Sequence, residues 1–506
     1  MSNLKRKLFN LLIFVLILIV FLQPLQSCGA EKTENKDETA NENEKATSEN
    51  DSVESEPDEK SDEISDGLPA LNFNGETVNI IYRDYMAYET YAEAESDEVI
   101  SDAVYKRNMA IEERFNIKFN FIEVQGAWDH KDQFLKRIRN TVAAGDDEFD
   151  IIEGYAAYIL ELTTDGYLNN WWDMPYVDLD KPWWYQDFIS EMTVNNKLFF
   201  LTGDLALSTI HMANALFFNK NLWKAYALDD PYAIVKEGKW TVDRMEEFTK
   251  QVTMDVDSNG KYDEKDLYGY VTDVHNQMDA YVIALDIPIT VKGDDGLPEF
   301  VINDERLING FMRIYAFVND NVSTFAGQLQ PTATDIFSMY REPIFQQERA
   351  LILAEYLGNS SLMRGYDFDF GILPFPKLDD NQEKYKTMPQ NGYTMFCTPV
   401  TVQNTEKVGA VIEALAAESR KSVVPAFYDV ALKTKYARDE ESSEMIDIIR
   451  DGISYNFGIE YAWMLGGSHP FRELIGSKSP NVASWVEKNT PRLEKSLAKI
   501  LTVYEE

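Results

Sequence analysis

The chain has two cysteines, Cys28 and Cys397, and four histidines in 506 residues. Two thiols exclude a disulfide framework, and so few imidazoles leave little material for a zinc centre or a histidine-driven triad. Positive charge is scarce as well: 48 Lys plus Arg stand against 86 Asp plus Glu, a formal net charge of −38. That balance argues against nucleic acids and other polyanions as partners, because such complexes are held by cationic side chains that displace counterions. The one long apolar run, Leu8 to Leu22, is shorter than the ~20 residues a membrane-spanning helix needs.

What is present has a clear order. Lys5, Arg6 and Lys7 precede that apolar run, the form of a secretion signal, and it closes on Leu25, Gln26, Ser27, Cys28 and Gly29. This resembles the bacterial lipobox, in which the Cys receives a diacylglyceryl group and becomes the new N-terminus. The alternative is an ordinary signal with a chance Cys. Residues Glu31 to Asp66 hold fifteen acids and four lysines but one Val and one Ile. Such a segment lacks the apolar area to offset chain entropy, and its like charges extend it. The expectation is a signal peptide over 1–28, a disordered acidic tether over 29–70, and a globular body at the extracellular face of the bacterial cell membrane, anchored through lipidated Cys28.

The body is 44% hydrophobic and 13% aromatic counted over the whole chain, enough for one large core or two medium ones. Glu76 to Tyr82 alternates and is rich in β-branched residues, which predicts a strand. Val104, Met109, Ile111 and Phe115 recur at near-helical spacing within 101–115. Ile117 to Val124 alternates again, Phe134, Leu135, Ile138 and Val142 share a helical face within 130–144, and Phe149 to Ile152 reads as a short buried strand. A β-α-β-α-β order implies a parallel sheet covered by helices, with ligands beyond the carboxyl ends of its strands. Mainly helices are predicted from Glu444 to Tyr504.

Within this pattern Ala143 to Ile152 (AAGDDEFDII), Asn196 to Asp204 (NKLFFLTGD), Ala215 to Leu222 (ALFFNKNL), Gly238 to Asp243 (GKWTVD) and Phe370 to Pro376 (FGILPFP) appear in succession. The series resembles bacterial extracellular solute-binding proteins, the receptors of ABC importers, in their carbohydrate-type branch, and spans about residues 75 to 430. The resemblance implies an α/β, two-lobe periplasmic-binding-protein-like (type II) fold with a hinge and an interlobe cleft. Crossings are expected after Asp204, near Pro389 and near Pro425, so that 71–206 and 390–425 form lobe 1, and 207–389 and 426–506 form lobe 2. It further implies a monomeric, non-enzymatic receptor that captures a carbohydrate, expected to be an oligosaccharide, for ABC permease subunits. A secreted carbohydrate-active hydrolase and a peptide receptor of the same fold are the alternatives.

Sugars offer apolar C–H faces ringed by hydroxyls, so their sites combine aromatic platforms with hydrogen-bonding side chains. Candidates in the first lobe are Asp84 and Tyr85 after the first strand, Tyr155 after the third, Asp204 after a strand expected at Phe199 to Leu201, and the pair Trp183 and Trp184. Second-lobe candidates are Glu355, Tyr356, Tyr461 and Trp463. For each of these, core or surface is the competing reading.

One further motif stands apart. In DVDSNGKYDEKD, residues 255 to 266, oxygen ligands fall at loop positions 1, 3, 5, 9 and 12, with Gly260 at 6 and the Lys261 carbonyl at 7. This is the calcium-loop pattern, with Asp255, Asp257, Asn259, Lys261, Asp263 and Asp266 as ligands of a structural calcium ion. Asp266 replaces the usual Glu at position 12. A helix over 240–254 capped by Thr241 would enter the loop, while Gly269 breaks any long exiting helix. The alternative is a solvated acidic turn.

Cys28→Ala should release the protein from cells into the medium. Mass spectrometry of the native chain should show a diacylated Cys28 at its N-terminus.

Overall fold

The predicted strand–helix alternation forms. Strand β1 (Glu76–Arg83) is followed by helix α1 (Val99–Phe115), strand β2 (Ile117–Val124), helix α2 (Lys131–Ala144) and strand β3 (Ile151–Tyr155). β1 pairs in parallel with β2 over its full length, from Glu76 opposite Ile117 to Arg83 opposite Val124, and with β3 on its other side. Central position explains its composition: the last four residues of β1 are all buried. α2 buries Phe134, Leu135, Ile138 and Val142 as predicted. It stops at Gly145, whose φ of +74° takes the left-handed conformation that closes a helix. Met109 departs from the predicted core stripe and is exposed, because it lies on the outer side of α1.

The structure, a computed structural model, describes residues 64–327, 341–428 and 439–505. Cys28, the apolar run before it and most of the expected tether lie outside them. The described residues belong to one compact unit, Asp62–Glu506. None of their helices is long and apolar enough to cross a membrane. The body begins before residue 71: Asp66 pairs with Arg114 and Leu68 packs on the core, so residues 66–70 are fastened to α1 rather than forming part of the tether.

Two sheets organise two lobes. The first has the order Thr394–Cys397, β3, β1, β2, its returning strand antiparallel to β3. The second has the order Phe370–Leu373, Asn214–Asn219, Ala350–Tyr356, Tyr268–Thr272, Thr324–Ala326. Two of the chain's passages between them run side by side: Asn214 N–H and its side-chain amide both donate to Met388 O, and Gln390 N–H donates to Met212 O at 2.8 Å. Residues 199–201, expected as a strand, make only a single bridge, Leu201 to Phe396.

The C-terminal part is helical: Glu440–Asp451 packs on strand Phe370–Leu373, and Pro470–Gly476 packs on helices Asn276–Ala284 and Glu305–Asn319. The last helix, Val482–Glu505, corrects the expected lobe boundary. It packs on second-lobe helices, but its final turn lies on the first lobe. There Tyr504 contacts Phe199 at 5.2 Å, and Lys197 Nζ donates to Val503 O at 3.1 Å.

The largest buried apolar side chains are aromatic, with Trp171, Trp183, Trp184 and Trp240 fully buried. The Trp184 indole donates to Glu413 Oε2 at 3.0 Å, tying its loop to helix Thr405–Glu418. Burial pushes the Glu413 carboxyl up to about 7, so the folded chain holds a proton there that the unfolded chain has released above about 4.5. This contribution is present at low pH and is lost as pH rises through 7. Glu413→Gln keeps an oxygen for the indole and cannot ionise. Its melting temperature should therefore gain on the native chain between pH 5 and pH 8, by on the order of 1–3 kcal/mol in stability, measured by calorimetry across that range.

Candidate functional site

The carboxyl ends of the first sheet's parallel strands converge on one place. β1 ends in Arg83, β2 is followed by Trp128, and β3 ends in Tyr155. Arg83 is fully buried. Its guanidinium donates to Tyr85 Oη at 2.7 Å, to Gly392 O at 2.8 Å and to Thr394 Oγ1 at 2.6 Å, and lies over the rings of Tyr85 and Tyr155. Tyr155 stacks on the buried Tyr158 at 5.2 Å and meets Trp128 at 6.0 Å. A permanent cation and a packed ring behind it hold the Tyr155 platform in place.

The second lobe supplies the opposite wall. Trp463 reaches Trp128 across the cleft, ring centroids 5.0 Å apart. Behind Trp463 lie Arg472, 5.8 Å over its ring, and His469. Arg472 Nη2 donates to Asn276 Oδ1 at 3.0 Å and to the carboxylate of the buried Asp279. Burial alone would raise the Asp279 pKa, but His469 and Arg472 hold it below the ordinary carboxylate value. Asn276 in turn donates to Tyr356 Oη at 3.2 Å, and burial lowers the pKa of neighbouring His275. Between the walls is a cavity of about 280 Å³ lined by Trp128, Tyr155, His275, Asn276, Gln390, Asn391, Trp463 and Arg472.

Of the sequence candidates, Tyr155 and Trp463 line this cavity. Tyr85 adjoins it through Arg83 and is 41% exposed, while Asp84 is exposed beside it and accepts the Tyr85 N–H. Tyr356 stands behind Asn276. The others are corrected by burial. Trp183 and Trp184 are core, since a tryptophan pair beside an apolar layer buries more area inward than a ligand could cover. Asp204 is 1% exposed and paired with Arg420 at 2.7 Å. Glu355 is bound to Arg341 at 3.0 Å, in a buried pair that also takes in Asp273. The Tyr461 hydroxyl is enclosed between Thr163 and Tyr504. Trp128, His275, Asn276, Gln390, Asn391 and Arg472 were missed. Trp128 follows β2 as Tyr155 ends β3, and His275 follows the parallel strand Tyr268–Thr272, so the strand-end rule reaches both. No local pattern marks Arg472.

A second lobe contact combines one ring pair, Phe188 edge-on to Tyr455 at 5.1 Å, with polar bonds. Asp187 accepts the Tyr455 N–H at 2.7 Å, Glu191 accepts the Phe457 N–H at 3.2 Å, and Lys292 Nζ donates to the carbonyls of Ser190 and Thr193. The adjoining cavity of about 240 Å³ is lined by Asp187, Glu191, Asp286, Lys292 and Lys386 together with apolar side chains such as Ile287 and Val291, and Tyr455 is its one aromatic ring.

The acidic loop lies in the second lobe between helix Val242–Val252, capped by Thr241 accepting the Arg244 N–H, and strand Tyr268–Thr272. Met254 and Leu267 pair across its neck. Gly260 turns it at φ +78°. Gly269 follows because any Cβ there would come within 2.2 Å of Thr249 O on the helix. Oxygens of Asp255, Asp257 and Asp266 come within 4.8 Å of one another. Ligands at 2.3–2.6 Å from one calcium ion lie at most about 5 Å apart, so these three fit such an ion. All five side chains also accept backbone N–H groups of the loop: Asp255 and Asp257 from Asn259, Asp266 from Val256, Asn259 from Lys261 and Asp263 from Lys265.

No family model and no curated sequence matches the chain. Solved structures do. A sugar transporter protein from Rhizobium etli in an open conformation aligns at 13% identity over 83% of this chain and 99% of its own, with a TM-score of 0.56. UspC of Mycobacterium tuberculosis aligns at 12% identity over 84% and 100%, TM-score 0.53. An ABC substrate-binding protein from Listeria monocytogenes in complex with cycloalternan aligns at 11% identity over 85% and 98%, TM-score 0.51. At such identities the likeness is one of fold: the chain has the two-lobed α/β fold of ABC substrate-binding proteins.

Proposed function

We propose that this protein is the substrate-binding component of an ABC importer, which captures an extracellular carbohydrate between its lobes and delivers it to a membrane permease. The observation that carries the reading is the cavity itself: ring faces from both lobes, Trp128 and Tyr155 against Trp463, with the amides of Asn276, Gln390 and Asn391 between them. Rings suit the C–H faces of a sugar and amides suit its hydroxyls. The fold neighbours support the same reading, since one is a sugar transporter protein and another is in complex with cycloalternan. Capture without chemistry fits the lining, which includes no Asp or Glu, whereas glycoside hydrolysis needs two carboxylates flanking the scissile bond. The lipobox-like Cys28 and its acidic spacer would hold the body at the outer face of the membrane, within reach of the permease.

A ligand that touches both lobes has more contacts when they close, and so shifts the population toward the closed form. Calorimetric titration against oligosaccharides should identify a bound sugar, and small-angle scattering should show a smaller radius of gyration when it is added. Trp128→Ala and Trp463→Ala should each weaken binding by about 1–3 kcal/mol, whereas Asp204→Ala should lower stability and leave affinity unchanged. Release of reducing ends from the sugar, or binding of peptides and no sugar, would overturn the reading.

Calcium completes the proposal as a structural ion at Asp255, Asp257 and Asp266, with Asn259, the Lys261 carbonyl and Asp263 as further oxygen donors. Asp266 is buried and already fixed by the N–H groups of Val256 and Asp263, so the loop brings a preformed carboxylate to the site. An ion bound only by the folded chain stabilises it by mass action. Calcium should raise the melting temperature and chelation lower it, and an Asp255→Ala, Asp257→Ala double variant should lose that response while sugar affinity stays the same.

A further inference from the structure

The lining of the ligand cavity is at odds with the rest of the molecule. A chain of net charge −38 presents there no carboxylate and one full cation, Arg472. Neutral saccharides are bound through hydroxyls, for which carboxylates are good acceptors. Arg472 has capacity to spare. Nη2 is taken by Asn276 and Asp279, but Nη1 makes no bond to the described residues, and Nε is buried without a partner. Its side chain is 14% exposed and forms part of the cavity lining. Asp279 lies behind it and locks the guanidinium in place, while the Trp463 ring covers one face.

The ground beneath Tyr155 has the same sign. Arg83 and Arg107 are both buried there, facing Glu89 and Glu153. Burial pushes Glu153 up to about 8, so at neutral pH it is protonated and does not offset them. On the first-lobe wall, Arg83 under the Tyr155 ring with Glu153 neutral beside it favours negative charge on the ligand, against the field of the surface as a whole.

We propose that the captured carbohydrate is acidic, a saccharide carrying a carboxylate, as in a uronic acid unit, with that group received by Arg472 Nη1 beside the Trp463 ring. The inference rests on the carbohydrate reading above. A carboxylate fits better than a phosphate monoester, because one guanidinium already shared with Asp279 matches a monoanion, and the other basic group of the lining, His275, has its pKa lowered by burial and is neutral at pH 7. Arginine rather than lysine suits this use: its planar fork holds a protein carboxylate with one nitrogen while presenting another to the ligand.

The test is calorimetric titration of the full chain with di- to tetrasaccharides of galacturonate, mannuronate and guluronate, and with the same sugars after reduction of their carboxyl groups to alcohols. At least one uronate should bind, and its reduced counterpart should bind on the order of tenfold or more weakly. Arg472→Gln should abolish that preference while leaving affinity for the reduced sugar near its native value. Because this variant leaves the buried Asp279 with His469 as its one remaining partner, an Arg472→Gln, Asp279→Asn pair, checked by its melting temperature, gives the same readout in a chain free of that defect. If neutral or reduced sugars bind as well as uronates, the charge inference is overturned and the carbohydrate reading stands. If no saccharide of either kind binds, the carbohydrate reading itself falls.

Discussion

The first-lobe half of the cleft depends on one buried cation. Arg83 has no access to water, so its charge must be met by groups the fold brings to it. Those groups come from distant parts of the chain: Tyr85 from the next turn, and Gly392 O and Thr394 Oγ1 from the strand that returns from the second lobe. Thr394 passes the connection on. Its hydroxyl donates to Glu89 and its N–H to Ser208 Oγ, and Glu89 also accepts from the backbone and hydroxyl of Ser208, just before the outgoing crossing. One network thus fixes the end of β1, the returning strand, the segment at Ser208 and the Tyr155 platform. Such a network is costly when broken in part, which makes the site rigid on this side and leaves movement to the crossings.

The crossings are well placed for movement. Two segments run side by side, joined by a few hydrogen bonds between Met212, Asn214, Met388 and Gln390. Bending there disturbs little packing, whereas each lobe moves with its sheet intact. The lobes also meet away from the crossings, through carboxylates on backbone N–H groups, Lys292 on backbone carbonyls, and ring pairs such as Phe188 with Tyr455. The polar contacts exchange readily with water and hold less firmly than the ring contacts.

The first lobe was legible in the sequence because its signal is local. β1, α1, β2 and α2 are each read from periodicity within one window, and the strand-end rule then found Tyr85 and Tyr155. The same rule reached Trp128, which was overlooked, whereas Arg472 lies on a short helix, and only the contact of that helix with Asn276–Ala284 brings it to the cavity. Trp183, Trp184, Asp204, Glu355 and Tyr461 failed for a single reason. Aromatic and acidic side chains serve a sugar site and a core or buried pair equally well, and only burial tells them apart: Arg420 is 216 residues from the Asp204 it neutralises. The acidic loop is the opposite case, since its ligand spacing and turn glycine are contained in twelve consecutive residues.

Trp128 and Trp463 touch, one ring from each lobe, and that contact has a bearing on discrimination. It belongs to the protein alone, so the cleft starts from a state in which its own platforms satisfy each other. A solute gains purchase only by offering a flat apolar face to replace what the indoles give up. Ions and small polar molecules have none, however well they match the amides or the guanidinium, and so compete poorly with the protein's own side chains.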